Sequence, residues 1–310
     1  MRRHIMKKGN NLSGENEKKD FVSSARFQKT VKKTKLKQIS LYILISFLTV
    51  SVFFIIIQFG SHTLINKKLE QDIARIAEQV HGTPVKGAGI VDFDTSISYG
   101  LLSAEGKITY YKKLGDRMIP WESITKVYPA IGKVKKTNTE KVEVFSTSNN
   151  KRTVRFNHLN NERMIDFYYP HIGYNSLPQE LEIAAGLDKN TLIEVALSFE
   201  RAMTVEEVGK AIGARNVEWL WLDKSNAKAF TELQFNETDF FHVLHGEGAY
   251  GFSVSEDYPY WNQEFFENKS TETEYPISGA IISGTPSELE RFLEIDIIRT
   301  SVIGVTIDKY

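Results

Sequence analysis

Between Lys37 and Lys67 the chain carries no formal charge, and within that run Ile39 to Phe59 places 15 Ile, Leu, Val or Phe among 21 residues. As a helix rising about 1.5 Å per residue, the stretch is about 31 Å long, matching a bilayer hydrocarbon core of roughly 30 Å. At about −0.3 to −0.6 kcal/mol per apolar residue, its insertion is favourable by several kcal/mol. Ser40, Ser46, Thr49 and Ser51 can return their hydroxyls to the helix backbone, and only Gln58 is strongly polar. A cleaved leader has a shorter apolar region, about 7–15 residues, and closes on small residues. Here the run passes into Gly60-Ser61-His62 without that pattern. A soluble core helix keeps a polar face, whereas this one is apolar all round. The stretch is read as a single transmembrane helix, residues 39–59.

Charge is divided about this helix. The whole chain balances 39 Lys+Arg against 39 Asp+Glu, but residues 1–37 carry 12 against 3 and the remainder 27 against 36. Lys29, Lys32, Lys33, Lys35 and Lys37 crowd the front edge, while Lys67 and Lys68 at the far edge are followed by Glu70 and Asp72. The positive-inside rule therefore predicts a cell-membrane protein with its N-terminus in the cytoplasm and its C-terminal part outside. Residues 1–38 read as a basic cytoplasmic arm, mostly disordered because its first 25 residues have too few apolar groups to fold. Residues 26–37 are expected to extend the membrane helix inward. Phe27, Lys29, Val31, Lys32, Lys33, Lys35 and Lys37 are the candidate partner- or lipid-binding residues. The lysines suit anionic headgroups, at about 1 kcal/mol each. Phe27 and Val31, four apart, suit a docking face for a cytoplasmic protein. With no base-reading fold and no stacking aromatics, direct nucleic-acid contact is not expected. The absence of cysteine excludes disulfides, thiolate metal centres and thiol nucleophiles.

Beyond the membrane, Leu64, Leu69, Ile73, Ile76 and Val80 continue at helical spacing, predicting a stalk helix and linker over 60–86 that stops before Gly82 and Pro84. Residues 87–189 read as β-rich. Val142 and Val144, then Val154 and Phe156, predict a hairpin turning at Asn149-Asn150. Trp121 to Pro129 is expected to hold a short helix or turn. From 190 the pattern sharpens. Ile193, Val195, Leu197 and Phe199 alternate as a strand. Thr204-Val205-Glu206-Glu207 is a capping box ahead of a short helix with Val205, Val208 and Ile212 on its apolar face, ended by Gly213. Val217, Trp219 and Trp221 form the next strand. The order recurs: strand Ile277 to Ile282, a cap at Thr285-Pro286-Ser287-Glu288, inward Leu289, Phe292 and Leu293, and strand Ile297 to Ile307. Strand–helix–strand, twice, predicts a ferredoxin-like βαββαβ domain over 190–310 and an α+β protein overall. An insertion, about 224–275, separates the halves. It holds 11 aromatics between Phe230 and Phe266, including Tyr258, Tyr260 and Trp261. Those rings either pack the second face of the sheet or form an outer recognition surface.

These same residues resemble a known family. Glu194-Val195-Ala196-Leu197-Ser198-Phe199, Met203 through Val208, Val217 through Asp223, Gly279 through Leu289 and Ile303-Gly304-Val305 are similar to the C-terminal domain of Bacillus-type sigma factor regulators. Phe27 through the membrane helix is similar to that family's N-terminal domain. The resemblance implies an anti-sigma-type membrane regulator of an extracytoplasmic-function sigma factor in a Gram-positive bacterium, acting in signal transduction and envelope stress. Its partners would be the sigma factor or a second membrane regulator inside, and an envelope ligand or protein outside. The short inner arm departs from the usual anti-sigma layout, and the zinc-type pattern of one His and two Cys is absent because cysteine is absent.

Other chemistry carries less weight. His242 and His245, with Glu247, are spaced for two metal ligands on one helical turn but sit in an apolar segment. Asp92-Phe93-Asp94 lacks the surrounding α/β pattern of a nucleotide-sugar site, and Gly248-Ala249-Tyr250-Gly251 reads as a hairpin turn. No nucleophile elbow, P-loop or dinucleotide fingerprint is present. No enzyme activity, cofactor or metal is expected. Besides a sigma factor regulator, the sequence suits a membrane-anchored binding module for a cell-wall polymer or peptide.

Overall fold

The computed structural model describes residues 25–81, 85–140, 143–147, 153–174, 176–224, 243–254 and 276–310. The chain divides into two units, 1–60 and 61–310. The mainly disordered reading of the first 25 residues falls almost wholly outside the described residues.

In the first unit the described residues are helical throughout. They belong to α1, Ala25–His81, which continues into the second unit. Over 39–59 every Ile, Leu, Val and Phe is exposed, between 48% and 72%. The helix is long and apolar enough to cross a membrane. Thr49 Oγ1 donates to the Ile45 carbonyl at 2.8 Å, so this hydroxyl is satisfied by its own helix.

The second unit is α+β. The end of α1 lies on a four-stranded antiparallel meander of β2 (Ile90–Tyr99), β3 (Ser103–Leu114), β4 (Arg117–Pro129) and β5 (Lys135–Glu140), which follows a two-residue β1 (Val85–Lys86). Leu114 pairs with Arg117 across a two-residue turn whose Gly115 has φ +58°. Where a short helix or turn is expected, Trp121 to Pro129 is strand. Trp121 and Ile124, three apart, would share a helix face, but the run pairs with β3 on both sides of a one-residue bulge at Trp121. Of the stripe read above as a stalk, Leu69, Ile76 and Val80 are buried, with Ile65 in place of the exposed Leu64, and they pack on Ala104, Ile108 and Tyr128 of this sheet. Each such side chain contributes about 1.5–3 kcal/mol on burial. Polar contacts set the register of helix on sheet. Asp72 Oδ2 accepts from Lys126 Nζ and from Tyr128 Oη, both at 2.7 Å. Burial pushes the Asp72 carboxyl up, but those two hydrogen bonds and the Lys126 and Arg75 charges outweigh it and hold the carboxyl below its ordinary value.

A depressed folded-state pKa adds stability above the unfolded value near 3.8, and that stability is lost as pH falls through the folded value. Asp72→Asn is therefore expected to cost about 1–3 kcal/mol near neutrality. It should also flatten the acid limb of a stability–pH profile measured by urea unfolding. An unchanged acid limb would show that Asp72 is not the group responsible.

Beyond the meander, β6 (Glu143–Thr147) and β7 (Thr153–Asn157) pair as expected, Val144 with Phe156 and Ser146 with Val154. Val142 and the Asn149-Asn150 turn lie outside the described residues. The large sheet contains β1, β9 (Thr191–Met203), β10 (Val217–Leu222), β12 (Tyr250–Ser253), β13 (Ile277–Gly284) and β14 (Ile298–Asp308). Its order is β1-β12-β10-β13-β9-β14, antiparallel throughout. One face carries α2 (Leu181–Ala185), α3 (Val205–Ile212) and α4 (Pro286–Leu289) over Val195, Leu197, Leu220 and Ile282. Thr204 and Glu207 form the expected capping box. Glu288 reaches back to the Thr285 N–H at 2.8 Å. Leu289 and Phe292 point inward, whereas Leu293 is 42% exposed because the chain leaves the sheet after a 3₁₀ turn at Glu290–Phe292.

The second face is also covered. β8 (Asp166–Tyr168) pairs with β11 (Val243–His245), and Phe167 and Tyr168 lie over Ala196, Trp219, Trp221 and Ile281. The alternation of β9 therefore separates two packed layers, and Glu194, Ala196 and Ser198 are all buried. A bulge at Glu218 also breaks the simple alternation expected in β10, so that Val217 faces the helices and Trp219 the opposite layer. Gly248 to Gly251 does not turn a hairpin: β11 pairs with β8 and β12 with β10, the two being joined by a 3₁₀ turn at Gly246–Gly248. At the β14 edge, Ser301 N–H donates to the Pro178 carbonyl at 3.0 Å and Glu180 N–H to the Ser301 carbonyl at 3.1 Å. Further along, Glu180 accepts from the Ile303 N–H and Glu162 from the Thr306 N–H, at 2.8 and 3.0 Å.

Candidate functional site

A cavity of about 660 Å³ opens in the second unit, within the range of roughly 300–1,000 Å³ usual for ligand sites. It is lined by the last turns of α1, β1 and the turn into β2, the middle of the meander, Met164 and Ile165 ahead of β8, the Gly246–Gly248 turn and β12. Two local irregularities shape it. Tyr110 pairs with Glu122 and Tyr111 with Pro120, which leaves Trp121 as the extra residue of a bulge. The bulge turns both Trp121 and Glu122 toward the cavity. Gly87 and Gly89, at φ +108° and +76°, let the chain turn from β1 into β2. That turn is pinned by the Gly87 N–H on the Ala249 carbonyl and the Ala88 N–H on the Gly246 carbonyl.

Its floor is a buried ion pair. Lys112 Nζ donates to both Glu194 oxygens, at 2.8 and 3.0 Å, and sits 4.1 Å from the centre of the Trp121 ring. Glu194 also accepts from the Val305 N–H at 3.2 Å. A side chain at Gly304 would bring its Cβ within 2.3 Å of Glu194 Oε2, so glycine there makes room for the carboxylate. One wall, at Ile165 and Glu247, is backed by a second charged cluster. Arg155, 2% exposed, donates to Asp166 at 2.6 Å, to Glu247 at 2.8 Å and to the Ile165 carbonyl at 3.3 Å. His245 Nδ1 lies 2.8 Å from the same Asp166 oxygen. Burial alone lowers the pKa of Arg155, but the Asp166 and Glu247 charges and hydrogen bonds reverse this and hold the guanidinium charged. Opposite, burial together with the Glu122 and Asp72 carboxylates pushes the Tyr110 phenol up to about 12, so it remains a neutral donor.

The lining thus combines the aromatic faces of Tyr110, Trp121 and Tyr250 with the carboxylates of Glu78 and Glu122 and the ammonium of Lys86. Among the described lining residues there is no serine, threonine, cysteine or histidine. The lining presents charged groups and aromatic faces suited to a polar molecule with an apolar face.

The residues singled out from sequence fall elsewhere. Phe27, Lys29, Val31, Lys32, Lys33, Lys35 and Lys37 all lie on α1 in the first unit. Phe27 and Val31 are half-buried and one turn apart, and the lysines are exposed. Tyr258, Tyr260 and Trp261 lie outside the described residues, as does His242. His245 is described and is bonded to Asp166. No group of three or more metal-ligating side chains occurs among the described residues. Asp92 and Asp94 each accept a hydrogen bond from the next residue's N–H on an exposed strand. The sequence reading missed Lys112 and Arg155, and placed Glu194 only in a strand and Glu247 only beside two histidines. The available signal was a set of charged residues, Lys112, Glu194 and Arg155, interrupting runs that alternate as strands.

Residues 185–275 match the family described as sigma factor regulator C-terminal. No curated protein and no solved structure matches the chain. The matched span starts at the end of α2 and runs through β9, α3, β10, β11 and β12, stopping just before β13. It includes Glu194, the partner of the lining Lys112, and Glu247 and Tyr250 in the cavity wall. The resemblance to the sigma factor regulator family accordingly holds at residues 185–275.

Proposed function

We propose that the chain is a single-pass, anti-sigma-type regulator of an extracytoplasmic-function sigma factor. Residues 1–38 are its cytoplasmic arm, 39–59 its membrane span, and the remainder an envelope-facing part that holds a ligand in the cavity. The observation that carries this reading is a sigma factor regulator C-terminal domain in the same chain as a helix of membrane-crossing length. The lysines before the span support the inward orientation of the arm. The arm's role is to hold the sigma factor, directly or with a second membrane regulator, through Phe27, Val31 and the flanking lysines. Arg75 and Glu78 of α1 line the cavity, so α1 is the element through which occupancy is communicated. Within the envelope part, β9-α3-β10 and β13-α4-β14 are two strand–helix–strand units. Their interleaved order β10-β13-β9-β14 supports the ferredoxin-like reading, with β12 and β1 added at one side.

The deciding experiment removes residues 1–36 and keeps the helix. A sigma-dependent reporter is expected to change several-fold, while added protease still digests the C-terminal part on intact cells. An unchanged reporter with protease-accessible protein would instead favour an anchored module for a wall polymer or peptide, the reading that the cavity alone supports. A C-terminal part resistant to protease on intact cells would overturn both.

A further inference from the structure

We propose that the β2–β3 hairpin tip, residues 99–102, is a second membrane-contacting element, seated in the lipid headgroup layer beside the point where α1 leaves the bilayer. It rests on the single-pass reading above. Ser61 Oγ donates to the Leu101 carbonyl at 2.8 Å. Ser61 stands two residues after Phe59, the last of the apolar run, or about 3 Å of helix rise. The headgroup layer on each side of a bilayer is roughly 5–8 Å thick. A tip tethered to Ser61 therefore lies at the level of the headgroups, on chain connectivity alone.

What the tip presents fits that level. Leu101 and Leu102 are 45% and 55% exposed at the turn of a hairpin, where polar residues are the rule. Tyr99, 46% exposed, stacks on His62 with ring centres 5.1 Å apart and donates to Asn66 Oδ1 at 2.8 Å. An amphipathic ring with a satisfied hydroxyl is the side chain favoured at the bilayer boundary. Exposed Lys67 on the next turn of α1 suits anionic headgroups. The backbone also meets the demand of a poorly hydrated layer for internal hydrogen bonds. Gly100 N–H donates to the Ser103 carbonyl at 2.7 Å, and Ala130 N–H donates to the Leu102 carbonyl at 2.8 Å. The hairpin is thus rigid beneath and apolar at its end, and the lipid surface is its occupant.

The chain has no cysteine, so single-cysteine labelling of the full-length protein in phosphatidylcholine–phosphatidylglycerol vesicles is clean. An environment-sensitive fluorophore is placed at Leu102→Cys, at Asp116→Cys in the turn at the far end of β3, and at Phe47→Cys in the span. Lipid-borne nitroxide is expected to quench the label at 102 several-fold more than at 116, and aqueous iodide to quench it less. Because a label can draw itself into lipid, a second set uses Ser98→Cys, with and without Leu101→Gln and Leu102→Gln. Nitroxide quenching at 98 is expected to fall when both leucines are replaced. Quenching at 102 equal to that at 116, or quenching at 98 indifferent to the leucines, overturns the tip contact while a quenched label at 47 leaves the span intact. An unquenched label at 47 overturns the span and the tip together.

Discussion

Lys112→Met is expected to destabilise the 61–310 unit by about 3–5 kcal/mol, the usual cost of leaving one partner of a buried ion pair alone. Lys112 and Glu194 are 3% and 4% exposed. After the substitution Glu194 would keep the Val305 N–H but lose the ammonium that holds both its oxygens. The change is read as a lowered midpoint of urea unfolding. The double variant Lys112→Met, Glu194→Met removes both charges at similar volume, and most of the loss should return, since paired replacement by apolar groups is often near neutral. Recovery stays incomplete because the Val305 N–H then lacks its acceptor. A double variant no more stable than the single one would show that packing, not charge, sets the cost. The pair also joins β3 of the meander to β9, so the single variant should loosen the cavity floor and weaken ligand stabilisation of the fold.

Trp221→Ala should cost about as much, 3–5 kcal/mol by the range for truncating a large buried ring. Trp221 is 1% exposed, with the Phe167 ring at 5.1 Å and the Tyr169 ring edge-on at 5.2 Å. Those partners precede the segment matched to the family. The variant is therefore expected to make the chain between 165 and 177 more sensitive to limited proteolysis as well as lowering the urea midpoint. A fragment starting at residue 190 would lack Phe167, Tyr168 and Tyr169 and leave Trp219 and Trp221 uncovered. Aggregation of that fragment, against a soluble 61–310 unit, is the expected outcome. A well-behaved 190–310 fragment would show the second layer to be dispensable.

These two sites mark the boundary of what a single sequence discloses. Short-range signals were legible: the charge-free run, the Thr204–Glu207 box, the Gly213 stop and the strands around Val195, Ile281 and Ile303 all depend on neighbours a few residues apart. The cavity depends on distant ones. Lys112 and Glu194 are 82 positions apart and Arg155 and Glu247 are 92, and no local periodicity records such a meeting. Trp121 to Pro129 was misread because a proline, a bulge and charged residues blur the strand period. Val217 does not share a side with Trp219 and Trp221 because a one-residue bulge exchanges the two faces of everything beyond it. The candidate residues of the arm were readable as composition and spacing, since charge and apolar runs need no tertiary partner to be recognised.

The rim of the large sheet has a consequence for assembly. Pro178, Glu180 and Glu162 already occupy amide and carbonyl groups along β14 that another chain's strand would need. Two copies of the chain therefore meet a sealed seam there, and neighbours cannot zip together through that margin. Any self-association of the chain then has to use a surface other than the β14 edge.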